Sequence, residues 1–88
     1  MTQTTLKLTN RLGLHARPAA QFVQTAAKFS SKVTLTGNNK TVDAKSVLAV
    51  MTMGLVGGME IILTAEGEDE AACIAALTDL IESQFGEE

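Results

Sequence analysis

The chain has 88 residues, a formal net charge of −3 and an apolar fraction of 45%. These values fit one small folded domain over residues 1–88 and exclude a disordered chain. There is no basic run for nucleic acid, no apolar run near the about 20 residues of a membrane span, and no signal-peptide pattern. The single cysteine, Cys73, cannot form an internal disulfide, so we expect a protein of the reducing cytoplasm.

Four stretches rich in β-forming residues, most of them with alternating apolar side chains, predict β-strands. They cover residues 2–9, 32–36, 41–43 and 60–66. Between the second and third strands, Gly37, Asn38 and Asn39 are residues that tolerate a positive φ, so we expect a tight hairpin there.

Three further stretches predict helices. Apolar residues at helical spacing indicate a first helix from about residue 16 to 27 or 28. Ser46 is a good N-cap for a second, short helix over residues 47–53, which Gly54 is placed to end. The acidic residues 68–70 suit the start of a third helix, whose inward stripe is Ile74, Leu77 and Ile81. The order β-α-β-β-α-β-α predicts a two-layer α+β domain.

The stretch 12–20 holds the chain's only histidine and only proline, with Arg17 between them. Pro18 suits the first turn of a helix, so His15 falls at the N-cap edge. A helix start attracts anions through its unpaired N–H groups, and Arg17 adds a planar fork for phosphate oxygens. A nucleophilic imidazole beside such a site suggests a histidine that becomes phosphorylated. The alternative is an exposed loop histidine beside an ordinary surface arginine, which is the more common case.

Two blocks of sequence strongly favour the phosphorylated histidine. Residues 14–19, Leu-His-Ala-Arg-Pro-Ala, resemble the active-site signature of HPr, the histidine-containing phosphocarrier family of the bacterial phosphoenolpyruvate-dependent phosphotransferase system. Residues 43–51, Asp-Ala-Lys-Ser-Val-Leu-Ala-Val-Met, resemble that family's regulatory-serine segment. The interval between the blocks and the chain length also match. The resemblance implies an open-faced sandwich: a four-stranded antiparallel sheet of order 1-4-2-3 with three helices on one face.

The resemblance also implies a function. His15 would accept a phosphoryl group from phosphorylated enzyme I and donate it to enzyme IIA components in sugar uptake. Backbone N–H groups of Ala16 and Arg17 would bind the phosphate, and the Arg17 side chain would balance its charge. The protein would thus be a phosphoryl carrier, not an enzyme, with no cofactor and no metal.

Ser46 matches the position that HPr kinase/phosphorylase modifies in many members of the family, although an N-cap role alone would also explain it. The resemblance implies that partners dock on the first two helices. The expected interface consists of Ala20, Gln21, Gln24, Val47, Leu48 and Met51. A transcriptional regulator is a further possible partner, and we expect a monomer that binds neither nucleic acid nor membrane.

One alternative concerns the pathway. Residues 10–13, Asn-Arg-Leu-Gly, and the C-terminal residues 80–88 look more like proteobacterial and nitrogen-related members of the family. Leu12 replaces the small polar residue found before the glycine in other members. The alternative function is therefore that of a phosphocarrier in a regulatory, nitrogen-related phosphotransferase branch.

Overall fold

A computed structural model describes residues 1–8 and 16–83 of the chain. Within these ranges the backbone forms four strands and three helices in the predicted order. The elements are β1 (Thr2–Lys7), α1 (Ala16–Ala27), β2 (Lys32–Gly37), β3 (Lys40–Asp43), α2 (Val47–Met51), β4 (Glu60–Glu66) and α3 (Glu70–Glu82). No helix in the described part of the chain is long and apolar enough to cross a bilayer.

The strands form a single antiparallel sheet of order β1-β4-β2-β3, which confirms the predicted topology. The central strand β4 pairs with β1 through Thr5 and Ile62 and with β2 through Ile62 and Thr36. Because side chains alternate between the two faces, Ile61, Leu63 and Ala65 of β4 all point to the same, buried face. The helices therefore cover one face of the sheet and leave the other open.

The hydrophobic core lies between that sheet face and the helices, and aliphatic side chains dominate it. Phe22 of α1 and Leu77 of α3 are completely buried, and Leu77 lies on the predicted inward stripe of α3. The buried apolar residues are Leu8, Ala19, Phe22, Ala26, Val33, Leu35, Ala44, Val50, Met53, Leu55, Ile61, Leu63, Ala65, Cys73, Ile74, Leu77 and Ile81.

The hairpin between β2 and β3 turns at Asn38 and Asn39, whose φ angles are 50° and 65°. Two successive residues with positive φ form a turn whose twist matches that of the flanking strands. The prediction of positive φ at this turn is confirmed. The strands extend to Gly37 and Lys40, one residue closer to the turn than predicted on each side.

The second helix is shorter than predicted, because α2 ends at Met51 rather than at residue 53. Thr52 is the C-cap, and its hydroxyl donates to the Ala49 carbonyl across 2.7 Å. Met53 has left the helix and is buried in the core. Gly54 follows with a φ of +67° and reverses the chain after this turn rather than ending the helix directly.

Two other boundaries differ from expectation. β1 ends at Lys7; the backbone of Leu8 then pairs with the loop before β4 through Met59, and residue 9 lies outside the described residues. At the start of α3, the side chain of the N-cap Asp69 makes no cap hydrogen bond with its own helix. Its carboxylate instead accepts from the backbone N–H groups of Ser30 and Ser31, at 2.8 and 3.0 Å. An acidic residue at this helix start thus joins two loops.

Candidate functional site

The candidate site begins where α1 begins. His15 and the residues 9–14 before it lie outside the described residues, but the covalent chain puts His15 directly before Ala16, the first residue of α1. Arg17 is exposed in the first turn, while Pro18 next to it is fully buried. Because Pro18 falls in the first turn, where N–H groups have no helical partner, it starts the helix without a lost hydrogen bond.

The core holds this helix start in place. Ala19, Phe22 and Ala26 are completely buried, so one face of α1 is fixed in the hydrophobic core. The first turn of α1 contains no acidic residue. Its first N–H groups, which have no intrahelical partner, and the positive end of the helix dipole therefore make an electropositive surface beside Arg17.

The opposite side of α1 faces outward. Gln24 is exposed, and Ala20 and Gln21 are half-buried. α1 packs against α2 and against α3, so α1 and α2 lie side by side. The structure therefore brings the two helices of the predicted interface together.

The short helix α2 exposes most of its apolar side chains. Val50 is completely buried, whereas Val47, Leu48 and Met51 expose 37, 74 and 44% of their surface. We call these three exposed residues the apolar ridge. Together α1 and α2 carry a single charged side chain, that of Arg17. The ridge is thus an uncharged, apolar surface beside a helix start with one positive charge.

Val56 is an exposed apolar residue that the sequence analysis did not single out. It exposes 53% of its surface in the loop between α2 and β4. The loop is held by Leu8, whose N–H donates to the Met59 carbonyl and whose carbonyl accepts from Gly58, at 2.9 and 2.8 Å. Leu8 is the last described residue before the segment that contains His15. The sequence signal that could have identified Val56 is its position, since it is an apolar residue between Leu55 and two glycines.

Ser46 lies directly before the apolar ridge. Its backbone is extended, and its hydroxyl oxygen accepts from the Ala49 N–H across 3.3 Å, which confirms the predicted N-cap. The Ser46 N–H donates to the Asp43 carbonyl at 3.1 Å. The preceding Lys45 is bound to the turn that follows α1, because its ammonium donates to the Phe29 carbonyl at 2.8 Å. The side chain of Ser46 is half-buried, so its hydroxyl stands at the edge of the surface.

Within the described residues, three titratable groups have shifted pKa values, and all three belong to α3 or its N-cap. Hydrogen bonds from Ser31 and Ser30 lower the pKa of Asp69 to about 2. Hydrogen bonds from Thr2 and the terminal amine lower the pKa of Glu70 to about 2. Burial raises the pKa of the Cys73 thiol, so this residue is not an activated nucleophile. No group of three or more potential metal-ligating side chains occurs within residues 1–8 and 16–83.

The chain thus combines an antiparallel open-faced sandwich with an arginine on the first turn of α1 and a histidine directly before α1 in the sequence. A family model described as the PTS HPr component phosphorylation site matches residues 2–83. The chain belongs to the HPr family of phosphocarriers, which carry a phosphoryl group and are not catalysts.

Comparisons with known proteins agree with this family. The phosphocarrier protein HPr of Neisseria meningitidis serogroup A is 42% identical over 87 residues, which cover 99% of this chain and 98% of the relative. The crystal structure of HPr from Thermoanaerobacter tengcongensis has 53% identity and a TM-score of 0.96, covering 100% of this chain and 99% of that one. The Bacillus subtilis protein Crh, described as a dimer with a swapping domain, has 38% identity and a TM-score of 0.75, with 96 and 97% of the chains covered.

Proposed function

We propose that His15 accepts a phosphoryl group from phosphorylated enzyme I and passes it to enzyme IIA components in sugar uptake. A nitrogen of the His15 imidazole attacks the phosphorus; a new P–N bond forms as the bond to the donor breaks. The reverse exchange, with an acceptor side chain as nucleophile, completes the cycle. The observation that carries the proposal is the position of Arg17, exposed on the first turn of the helix that follows His15 directly.

The start of α1 supports this chemistry electrostatically. The N–H groups of Ala16 and Arg17 belong to the first turn, where helical N–H groups have no internal partner. They can donate to phosphate oxygens, and the Arg17 guanidinium can balance the charge that these oxygens carry during transfer. Pro18 has no N–H and contributes only the helix start. The N–H groups and Arg17 thus stabilise transferring phosphate without forming a covalent bond to it.

A carrier must meet its donor and its acceptors through one surface. We assign docking to Ala20, Gln21 and Gln24 of α1 and to the apolar ridge of α2. The exposure of Leu48 and Met51 supports this role, because large apolar side chains exposed together mark interaction surfaces. Methionine and leucine in the ridge suit several partners, because methionine in particular repacks easily.

Ser46 is a candidate regulatory site. A kinase of the HPr kinase/phosphorylase type would esterify its hydroxyl, which caps α2 and directly precedes Val47 of the ridge. The phosphate would add about −1.5 to −2 charges at pH 7. That charge would stand next to a surface that carries no charged side chain on α2. Docking of an acidic partner, enzyme I in particular, would weaken as a result. A transcriptional regulator is a further candidate partner, one that would bind the chain phosphorylated on Ser46.

The alternative is a phosphocarrier of a nitrogen-related branch, which would use His15 and the same α1 start with different acceptors. Residues 10–13 and the C-terminal residues 80–88 favour this alternative branch. Within either branch we propose that the chain works in the cytoplasm as a monomer. Size-exclusion chromatography with light scattering tests the monomer against a dimer such as that described for Crh.

The decisive experiment incubates the purified chain with enzyme I and labelled phosphoenolpyruvate, followed by sugar-specific or nitrogen-related IIA proteins. We expect an acid-labile phosphoryl group on His15 that is transferred to the sugar-specific acceptors. The control is His15→Ala, which should stay folded by circular dichroism and accept no label. Label on the His15→Ala variant would refute the proposed site, and transfer only to nitrogen-related acceptors would select the alternative branch.

A further inference from the structure

The helix that carries the apolar ridge is too short to hold its shape alone. α2 spans five residues, whereas isolated helices shorter than about 12 residues are marginal in water. Ser46 caps the start of α2, and other groups must fix its C-terminal end. The last carbonyls of a helix need donors from elsewhere, because they have no intrahelical partner.

Local bonds satisfy the first of these carbonyls. The N–H of Thr52 donates to Leu48 at 3.1 Å, the hydroxyl of Thr52 donates to Ala49, and the N–H of Met53 donates to Val50 at 3.2 Å. The carbonyls of Thr52 and Met53 lie beyond the helix, where the chain turns towards Gly54. Their donors come from a different part of the molecule.

Those donors are side chains of the β2–β3 hairpin. The Asn38 side-chain amide donates to the Met53 carbonyl across 2.8 Å, and the Lys40 ammonium donates to the Thr52 carbonyl across 3.3 Å. Asn38 holds this orientation from a backbone with a φ of 50°, at the tip of a hairpin that is paired into the sheet. These two side chains of the hairpin therefore connect the sheet to the turn that follows α2.

We infer that Asn38 is a positioning residue for docking: through the Met53 carbonyl it fixes the end of α2 and thereby the arrangement of the apolar ridge that meets the partner proteins. The bond that Asn38 makes is to the backbone of Met53, not to a ridge side chain. It acts by holding Met53, whose buried side chain anchors the turn in the core. The inference rests on the proposed function only for its effect on transfer, since the anchoring of α2 is a separate, measurable property.

The hairpin offers a matched pair of variants. Asn38→Gly removes the amide and keeps the positive φ, which glycine adopts without strain. Asn39→Gly makes the same backbone change one residue later, at a φ of 65°, where no side-chain hydrogen bond to α2 occurs in the part of the chain that is described. Asn38→Asp keeps the shape of the side chain and loses the donor.

The first measurement is amide hydrogen exchange of Val50, Thr52 and Met53, whose N–H groups close α2 and its last turn. We expect Asn38→Gly and Asn38→Asp to speed this exchange about fivefold to tenfold, which corresponds to the loss of one net hydrogen bond. Asn39→Gly should leave it near the wild-type rate, and amides of β4 should not change in any variant. Equal exchange in Asn38→Gly and Asn39→Gly would overturn the anchoring.

The second measurement is steady-state phosphoryl transfer from enzyme I. A positioning role in docking predicts a several-fold higher KM for Asn38→Gly, an unchanged kcat, and wild-type values for Asn39→Gly. Faster exchange with an unchanged KM would overturn the docking role. A wild-type chain that accepts no phosphoryl group would refute the proposed function and the docking role with it, while the exchange data would still decide the anchoring.

Discussion

The ammonium of Lys45 donates a hydrogen bond to the carbonyl of Phe29 across 2.8 Å and so joins the residue before Ser46 to the turn that follows α1. Phe29 lies in the turn that follows α1, two residues beyond Ala27, so the bond holds this turn rather than a carbonyl of the helix itself. The bond connects the two halves of the candidate site, since α1 carries Arg17 and α2 carries the ridge.

The first prediction concerns this bond. Lys45→Met keeps the aliphatic stem and removes the donor, so we expect a loss of about 1 kcal/mol in the free energy of unfolding, measured in urea. Lys28→Met is the control, because Lys28 is exposed beside the same helix end. An equal effect of the two substitutions would contradict a specific role for the Lys45–Phe29 bond.

The second prediction is a loss of stability in acid that depends on Asp69. Its carboxylate accepts from Ser30 and Ser31, which lowers its pKa from 3.8 to about 2. A lowered pKa means that the folded state favours the ionised form, so the contribution is complete above pH 3.8 and is lost as the pH falls to about 2. Asp69→Asn should be less stable than the wild type at pH 7, and the gap should shrink below pH 3.8 and close only below about pH 2.

Denaturant unfolding at a series of pH values measures this gap. Asp79→Asn serves as the control, since Asp79 is exposed on the same helix. A wild-type advantage over Asp69→Asn that stays constant down to pH 2 would contradict the role of the ionised carboxylate. The Thr2 and terminal-amine bonds to Glu70 add a second contribution of the same sign, because they also lower a carboxyl pKa to about 2.

The local sequence pattern predicted the layout of the fold well. The order and type of the elements were confirmed, because alternation in β4 and helical spacing in α1 and α3 record which face is buried. The sheet order 1-4-2-3 came from the resemblance to HPr and was also confirmed. The end of α2 was predicted two residues late, since the hydroxyl of Thr52 competes for a helix carbonyl and no composition rule fixes that outcome.

The contacts that position the site could not be read from the sequence. Lys45 and Phe29 are 16 residues apart, Asn38 and Met53 are 15 apart, and Asp69 is 38 residues from Ser31. Each joins a side chain to a backbone group of a distant segment. Such bonds depend on how the layers pack, and they leave no periodic trace along the chain. His15 and Arg17, by contrast, were singled out from adjacent residues alone.

The third prediction tests the charge of the α1 start. Arg17→Gly should keep the fold, because the side chain is exposed, and should slow phosphoryl transfer about a hundredfold or more, the size of effect seen when one oxyanion donor is removed. Arg17→Lys retains the charge without the planar fork, so its transfer rate should lie between those of the wild type and Arg17→Gly. Single-turnover transfer from enzyme I measures the rates. Wild-type kinetics in Arg17→Gly would contradict the role assigned to the guanidinium.

The fourth prediction concerns Leu48, which exposes 74% of its surface on the apolar ridge. Leu48→Ala should change the free energy of unfolding by no more than about 0.5 kcal/mol, since the side chain is not part of the core. It should raise the KM for transfer from enzyme I, because the partner loses an apolar contact. Glu82→Ala on α3 is exposed and distant from the ridge along the chain, and it should change neither quantity. A KM that is unaffected by Leu48→Ala would remove Leu48 from the interface.

The fifth prediction separates the two roles of Ser46. Ser46→Ala removes the N-cap and should lower stability by about 1 kcal/mol, while transfer from enzyme I stays near the wild-type rate. Ser46→Asp retains a capping oxygen and adds a negative charge next to Val47, so it should keep stability and weaken transfer. Thermal unfolding and transfer kinetics on the same samples measure both effects. Equal transfer by the two variants would leave Ser46 as a cap alone, because only a charge effect on docking distinguishes aspartate from alanine in this assay.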